Sequence, residues 1–186
     1  MSIATRLIAA GIGIVLTPPL ALGFSQPPPP NAILLQAPLV DTAGRPTTLA
    51  TVLGRPAVIA FWTRWCGPCR DEIPLLEAVL SAHPELDVAV VGVTLDDDVE
   101  AVRDFGVAYK INYPLLLTGA DGVQLLQALG NSQADLPYTI IIDENGATLG
   151  ERRGRLRAGD IADALAKRGI PVTGPGGFHD ASGSAP

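Results

Sequence analysis

Two cysteines separated by two residues constrain this chain more than any other feature. Cys66 and Cys69 follow a continuous apolar run, 57–60, that is typical of a buried strand, and they precede a segment with helical apolar spacing. This junction places Cys66 at a helix start, where unpaired N–H groups and the helix dipole favour a thiolate. Cys69 then lies one turn further on, within reach of a disulfide. We therefore expect a redox-active pair in which Cys66 attacks a substrate and Cys69 resolves the mixed disulfide.

Zinc binding and a purely structural disulfide are the two alternatives for this pair. Zinc usually takes four ligands, and the other candidate ligands, His83 and His179, are distant in the sequence. A disulfide across two residues closes a very small loop and stabilises little. Cys66 and Cys69 are the only cysteines of the 186-residue chain, so no other thiol competes for them. Redox chemistry is favoured, and no metal site is expected.

The residues around the cysteines resemble the thioredoxin active site. The matching string is Phe61, Trp62, Trp65, Cys66, Gly67, Pro68 and Cys69, and its continuation through Arg70, Glu72, Ile73, Pro74 and Leu76 resembles the TlpA/ResA branch of extracytoplasmic thiol–disulfide oxidoreductases. The resemblance spans about residues 38 to 168. Gly67 and Pro68 suit a turn into a helix, since the missing N–H of Pro68 would have no partner there. The resemblance implies that Trp65, Gly67 and Pro68 contact the substrate.

Pro137 is the second landmark, because it leads into an apolar run, 140–142. A proline that enters a strand either starts the strand or is cis. The thioredoxin superfamily holds a cis-proline beside its cysteines at this position, and Pro137 matches it. By the same resemblance, the backbone of Leu136 pairs with an extended substrate segment.

Glu72 is the candidate base for the resolving thiol. Thioredoxins place a buried aspartate beneath the disulfide, and the matching position here is Ala60. ResA-like proteins carry an active-site glutamate where this chain has Glu72, three residues after Cys69. A partly buried carboxylate has a raised pKa, which suits it to accept the Cys69 proton near neutral pH. The alternative is a solvated helix glutamate.

The pattern of the whole chain predicts an α/β fold, a thioredoxin fold with an N-terminal β-hairpin extension and a central strand–helix insert. A turn-forming segment, 41–46, between two short apolar segments predicts the hairpin. A minimal thioredoxin needs only helix, strand and helix between its cysteines and its cis-proline. This chain adds a strand near 113–117 and a helix through 122–129 in that interval.

Composition divides the chain into four segments. Residues 1–23 combine Arg6, an apolar stretch and small residues, which indicates a signal peptide, or else an uncleaved membrane anchor. Residues 24–37 contain four consecutive prolines and predict an extended linker outside the core. A thioredoxin-like domain is expected over 38–170 and a disordered tail over 171–186. Either N-terminal interpretation places the domain in the periplasm or on the outer face of the cytoplasmic membrane.

The function that the resemblance implies is reduction of disulfides in exported proteins, with a membrane thiol electron donor as the second partner. TlpA/ResA-like proteins serve cytochrome c maturation or copper delivery to oxidases, among other roles. The cytochrome branch tends to carry an acidic residue after the cis-proline, where this chain has Tyr138. We expect a monomer that needs no cofactor. The net charge of −6 and the absence of a long basic stretch argue against nucleic-acid binding.

The sequence leaves two other functions open. A disulfide oxidant would use the same cysteines in the opposite direction, although Gly67-Pro68 is the thioredoxin-like, more reducing pair. A metallochaperone would hold Cu(I) on the two thiols. A peroxidase is disfavoured because the threonine-before-cysteine motif of peroxiredoxins is missing.

Two charged clusters have plain structural interpretations. The acidic run 96–98 is predicted to cap a helix rather than to bind a metal. Four arginines, Arg152, Arg153, Arg155 and Arg157, are predicted to protect a solvated edge strand rather than to form a docking site.

Overall fold

The computed structural model describes residues 31–52, 54–82 and 87–170. The predicted signal or anchor, linker residues 24–30, His83 and the predicted tail 171–186 lie outside the described residues. Within the described ranges, none of the helices has the length and apolar character needed to cross a bilayer.

One mixed sheet organises the described part of the chain. Its strands are β1 Leu39–Asp41, β2 Pro46–Thr47, β3 Ala57–Trp62, β4 Ala89–Thr94, β5 Leu115–Leu117, β6 Tyr138–Ile142 and β7 Thr148–Arg153. The helices are α1 Ala32–Leu35, α2 Gly67–Asp71, α3 Ile73–Ala82, α4 Val99–Ala108, α5 Gly122–Ala128 and α6 Ala158–Ala166, with 3-10 turns at Leu49–Val52 and Gly119–Asp121. The strand order is β2-β1-β5-β4-β3-β6-β7. β3, β4 and β5 run parallel, and the remaining pairs are antiparallel.

The central strands are buried on both faces, which explains their continuous apolar sequences. Alternate residues of β3 pack into two separate hydrophobic cores, one on each face of the sheet. Val58, Ala60 and Trp62 face the core formed with α3 and α6, whereas the residues between them face the core formed with α1 and α5. The first core contains Cys69 and therefore lies on the side of the sheet that carries the disulfide.

The predicted hairpin and insert are both present and depend on each other. β1 and β2 form the N-terminal hairpin, with Leu39 paired to Thr47. β5 of the insert pairs with β4 on one side and with β1 on the other, where Val40 lies opposite Leu117. The hairpin therefore joins the sheet by pairing with the insert strand β5.

The C-terminal end of the predicted linker is part of the folded domain. α1 buries Leu34 and Leu35 completely, and Ala37 is also buried. The side-chain amide of Asn31 donates a hydrogen bond of 2.7 Å to the carbonyl oxygen of Gly146. The prediction of an extended spacer outside the core is therefore wrong for residues 31–37, because their leucines cover one face of the sheet.

We expect Leu34→Ala to lower the free energy of unfolding by about 2–5 kcal/mol, the usual range for a leucine truncated in a packed core. Ile33→Ala is the matched control, because its side chain is 58% exposed and should change stability by less than about 0.5 kcal/mol. Urea denaturation of both variants measures the difference. Equal small effects would mean that α1 does not pack against the domain in solution.

Asp98 has the capping role predicted for the acidic run, and the strand that carries Arg152 and Arg153 is an edge strand, as predicted. Asp98 caps α4, and its carboxylate accepts a hydrogen bond of 3.0 Å from the backbone N–H of Ala101. β7 is an edge strand, and its Arg152 lies 3.6 Å from the carboxylate of Asp160. Asp96, in contrast, has a different role, described with the active site.

Candidate active site

The C-terminal end of β3 leads directly into the disulfide. β3 ends at Trp62, and Cys66 is the N-cap residue of α2. Cys66 and Cys69 are joined by a disulfide, with their Cα atoms 5.2 Å apart. The backbone N–H of Cys69 donates a hydrogen bond of 3.2 Å to the Cys66 sulfur. A sulfur held at a helix start in this way is placed for thiolate stabilisation once the disulfide is reduced.

The two sulfurs differ in their access to solvent. Cys66 is half-buried, whereas Cys69 is 5% exposed. Trp65 stands beside Cys66 with 82% of its surface exposed, and the Arg64 guanidinium lies 5.5 Å from the centre of its ring. Pro68 lies in the first turn of α2 and is also exposed. A protein substrate therefore meets Cys66 first.

Pro74 separates α2 from α3 and places Glu72 at the corner between them. A proline lacks the N–H that would bond to the carbonyl four residues earlier, here that of Arg70, and its ring crowds that carbonyl. α2 accordingly ends at Asp71 and α3 begins at Ile73. The corner turns the Glu72 side chain into the protein rather than toward water, as its burial shows.

Glu72 is a buried acid with a strongly perturbed pKa. The residue is 3% exposed, and one carboxylate oxygen accepts a hydrogen bond of 2.6 Å from the backbone N–H of Leu156. Burial raises the pKa of Glu72 to about 7, against the lowering effects of the Leu156 N–H and of the charges on Arg155 and Arg152, while Asp160 raises it further. The alternative of a solvated helix glutamate is wrong. Glu72 therefore changes protonation in the range where thiol exchange operates.

A small cavity of about 10 Å³ lies between the disulfide and the sheet. Its walls include Ala60, Trp62, Cys69, Glu72 and Tyr113. The short side chain of Ala60, at the position where thioredoxins carry their buried aspartate, forms part of the floor. Burial also raises the pKa of Tyr113, so its hydroxyl stays protonated beside Glu72.

The peptide bond between Leu136 and Pro137 is cis, as predicted. Pro137 is buried, and the pairing of β6 with β3 begins one residue later, at Tyr138. Leu136 is therefore outside the sheet ladder, which is consistent with the prediction that its backbone pairs with a substrate. The backbone N–H of Gly154 donates a hydrogen bond of 2.8 Å to the Pro137 carbonyl oxygen.

The turn after β7, residues 154–157, connects the predicted substrate groove with the buried acid. Gly154 bonds to Pro137, and Leu156 bonds to Glu72. Arg155 forms an ion pair with Asp71 in α2. The sequence does not reveal this connection, because two of its three contacts are made by backbone N–H groups, which every non-proline residue has.

Asp96 holds the active-site loop instead of capping a helix, the role predicted for the acidic run 96–98. Its carboxylate accepts hydrogen bonds from the backbone N–H of Arg64 at 2.9 Å and from the Thr94 hydroxyl at 2.7 Å. The Arg64 side chain also contacts it at 3.3 Å. Since β3 and β4 are parallel, the residues that follow them meet at one edge of the sheet. That rule could have placed Asp96 beside the active-site loop.

We expect Asp96→Asn to lower the free energy of unfolding of the oxidised protein by about 1–3 kcal/mol, because a largely buried acceptor loses its charge and leaves donors poorly paired. Asp97→Asn is the matched control, since Asp97 is exposed. Guanidinium denaturation gives both values. If the two variants are equally stable, Asp96 does not hold the loop.

Comparison with known proteins identifies the family. The sequence profile of the AhpC/TSA family matches residues 30–148, more than half of the chain. The chain belongs to the AhpC/TSA family. Its relatives include the soluble secreted antigen MPT53 of Mycobacterium tuberculosis, which is 36% identical over 124 residues, covering 64% of this chain and 66% of MPT53. The thiol–disulfide oxidoreductase ResA of Bacillus subtilis is 29% identical over 127 residues, covering 68% of this chain and 69% of ResA.

The fold of this AhpC/TSA family member is also similar to that of a solved structure. The crystal structure of a secreted Mycobacterium tuberculosis disulfide oxidoreductase, homologous to E. coli DsbE, superposes with a TM-score of 0.58 at 26% identity. It covers 74% of this chain and 98% of that protein. The thioredoxin-like fold and the resemblance to ResA-like proteins are therefore confirmed. The chain is a homologue of thiol–disulfide oxidoreductases, with Cys66 and Cys69 as its CxxC pair.

Proposed function

We propose that this protein reduces disulfides of exported proteins through the Cys66–Cys69 dithiol. The observation that carries the proposal is the asymmetry of the pair, an accessible Cys66 at a helix start and a shielded Cys69 beside a buried acid. The Gly67-Pro68 spacer, which resembles that of reducing thioredoxins, favours this direction over oxidation.

Reduction of a substrate takes two exchange steps. The Cys66 thiolate attacks one sulfur of the substrate disulfide, forms a mixed disulfide and releases the other substrate sulfur as a thiolate. The Cys69 thiolate then attacks the Cys66 sulfur, which forms the Cys66–Cys69 disulfide and releases the second substrate thiolate. The substrate gains two electrons and, with two protons from the surroundings, becomes a dithiol.

Glu72 is the proposed base of the second step. Cys69 is buried and must lose its proton before it attacks, and Glu72 borders the same cavity. Because the pKa of Glu72 is about 7, its side chain is ionised in part of the molecules at neutral pH. The ionised carboxylate can then accept the proton of Cys69. Trp65, Gly67, Pro68, Leu136 and Pro137 are the proposed substrate contacts.

The proposed location is extracytoplasmic, with a membrane thiol electron donor as the second partner. The signal-like N-terminus supports this, as do relatives that are described as secreted. Because such compartments are oxidising, a reductant there needs two electrons from a donor after each turnover. The resemblance to TlpA/ResA-like proteins leads us to propose cytochrome c or oxidase maturation as the pathway served.

The reduction potential tests the direction of the reaction. Equilibration with glutathione redox buffers, followed by separation of reduced and oxidised protein, should give a value closer to that of thioredoxin, about −270 mV, than to that of strongly oxidising thiol proteins, about −120 mV. A potential near the second value would overturn the reductant role and favour a disulfide oxidant.

The metallochaperone alternative requires a separate measurement. The reduced protein should reduce insulin disulfides catalytically when a chemical reductant recharges it, and should bind Cu(I) no better than other exposed dithiols in a competition with a chromogenic chelator. Tight Cu(I) binding without insulin reduction would assign the thiols to copper transport instead.

A further inference from the structure

The Arg70 side chain lies over the first turn of α2, next to the reacting cysteine. Arg70 is exposed, and it follows Gly67 by three residues, which puts both on one face of the helix. Helical side chains lean toward the N-terminus of their helix, so this one leans toward Cys66. A Cβ added at Gly67 would lie 3.8 Å from Arg70 Nη2. The guanidinium therefore lies beside the residue that directly follows the nucleophile.

The Tyr109 hydroxyl holds the guanidinium in this position. Arg70 Nη1 donates a hydrogen bond of 3.4 Å to the Tyr109 hydroxyl oxygen. The Tyr109 ring stacks on Phe105 with 4.2 Å between ring centres, and the Phe105 ring centre lies 4.9 Å from that of Trp62. Because Trp62 is buried at the end of β3, the stack fixes the partly exposed Tyr109 to the sheet. A cation that is held in advance loses less conformational entropy when it binds a partner.

The charge on Arg70 has no acidic partner among the residues that the structure describes. Most other arginines in those ranges form an ion pair, but Arg70 forms none. Asp71, the next residue, pairs with Arg155. Asp96, beside the loop before the disulfide, pairs with Arg64. The guanidinium of Arg70 is thus available to a carboxylate from outside the chain, which its planar fork of donors fits well.

Arg70 and Asp71 contact different sides of the site. Asp71 pairs with the 154–157 turn, whose first residue donates a hydrogen bond to the Pro137 carbonyl oxygen. Arg70 contacts Tyr109, the C-cap residue of α4. A substrate backbone that pairs beside Pro137 therefore leaves the α4 side, with its cation, for the side chains next to the substrate cysteine.

We propose that Arg70 selects protein disulfides that carry an acidic side chain next to the cysteine that Cys66 attacks. The guanidinium binds that aspartate or glutamate carboxylate before the exchange step, and Tyr109 is a positioning residue that holds the guanidinium in place. The inference rests on the proposed function, because it needs Cys66 to attack a protein disulfide, and it names the substrate class. The bonds formed and broken in the exchange stay as described above.

Two matched peptides and the reduced full chain test the selection. Each peptide is a disulfide-linked homodimer with blocked termini, and the two differ only in the residue beside the cysteine, aspartate or asparagine. Stopped-flow measurement near pH 7 gives the rate constant of Cys66 attack on each peptide. The acidic-to-neutral ratio of these rate constants is compared between protein variants, which cancels the intrinsic reactivity of the peptides.

Arg70→Gln should lower the acidic-to-neutral ratio about threefold, the order expected for an ion pair that stays partly solvated. Arg70→Lys keeps the charge but loses the fork, so it should retain part of the preference. Tyr109→Phe keeps the stacked ring and the net charge, and it should lose part of the preference with the hydroxyl alone. High salt should reduce the wild-type ratio, because it screens exposed charges.

Arg103→Gln is the matched control, since it removes the same charge from an exposed residue of α4 that lies 4.0 Å from Glu100. Its ratio should equal that of the wild type. An equal fall in Arg103→Gln would assign the preference to overall charge and overturn the proposal. An unchanged ratio in Arg70→Gln would also overturn it, even with both peptides slowed, because Arg70 would then act on the Cys66 thiolate. A full preference in Tyr109→Phe would overturn the positioning role of Tyr109.

Failure of the selection is distinguishable from failure of the proposed function. The peptide measurement follows attack by reduced Cys66, and the comparison of ratios does not depend on the direction in which the protein works. A strongly oxidising reduction potential together with a lower ratio in Arg70→Gln would overturn the reductant role and support the selection. A thioredoxin-like potential together with equal ratios in the wild type and Arg70→Gln would overturn the selection alone.

Discussion

Replacing Cys69 with serine will leave a protein that forms mixed disulfides with its substrates and does not release them. The half-buried Cys66 still attacks, but the buried thiol that resolves the intermediate is gone. Cys66→Ser should abolish disulfide exchange entirely, because Cys69 is 5% exposed and cannot reach a protein substrate. Non-reducing electrophoresis after expression in the native host measures the trapped species and also identifies the substrates.

Alkylation of the reduced protein is the control for this assignment. Iodoacetamide should modify Cys66 rapidly and Cys69 slowly, since only Cys66 is accessible and held at a helix start. Equal labelling of both thiols near pH 7 would contradict the assignment of Cys66 as the nucleophile. Mixed disulfides that accumulate in Cys66→Ser instead of Cys69→Ser would reverse the two roles.

Glu72→Gln should slow resolution of the mixed disulfide by ~10²-fold at neutral pH, the size expected for loss of a general base. Glutamine keeps the volume but cannot take a proton. In the wild type the rate should rise with pH through about 7, as the carboxyl ionises. In the variant it should stay low until the Cys69 thiol ionises unaided, so the two profiles converge at alkaline pH.

Asp71→Asn is the matched control for Glu72→Gln. Asp71 is the preceding residue, but its side chain is exposed and pairs with Arg155 at the surface. Its variant should resolve mixed disulfides within about twofold of the wild type, in keeping with the small energies of exposed ion pairs. Alkylation of Cys66 should change little in either variant. A Glu72→Gln rate equal to that of Asp71→Asn across pH 5 to 9 would remove Glu72 from the mechanism.

The raised pKa of Glu72 also makes the fold depend on pH. The folded protein binds a proton at Glu72 more tightly than the unfolded chain, so this stabilisation is complete below about pH 4.5 and is lost as pH rises through about 7. The shift corresponds to about 3 kcal/mol. The stability of Glu72→Gln relative to the wild type should therefore rise over that interval, as urea titrations at each pH will show.

Local sequence patterns predicted the parts of the site that are close together in the chain. Cys66 and Cys69 lie on one helical turn. Pro74 interrupts the helix because proline has no backbone N–H to donate and its ring crowds the carbonyl four residues earlier. The apolar run before Cys66 is long enough to identify a buried strand. Pro137 required the family resemblance in addition, since a cis bond leaves no mark beyond the proline itself.

The contacts that complete the site are long-range and could not be predicted in this way. The bond from Leu156 to Glu72 spans 84 residues and uses a backbone N–H that every non-proline residue has. Asp96 sits in an acidic run that also suits helix capping, so composition alone favoured the wrong role. α1 has only four residues, too few for its leucines to show a helical period.

The pKa of Glu72 in the oxidised protein tests the central claim most directly. With the thiols joined as a disulfide, no cysteine titrates, and the side-chain carboxyl ¹³C signal of Glu72 can be followed from pH 3 to 9 and assigned by its loss in Glu72→Gln. A buried base for Cys69 predicts a midpoint of about 7. A midpoint near 4.5, the ordinary value for glutamate, would contradict it.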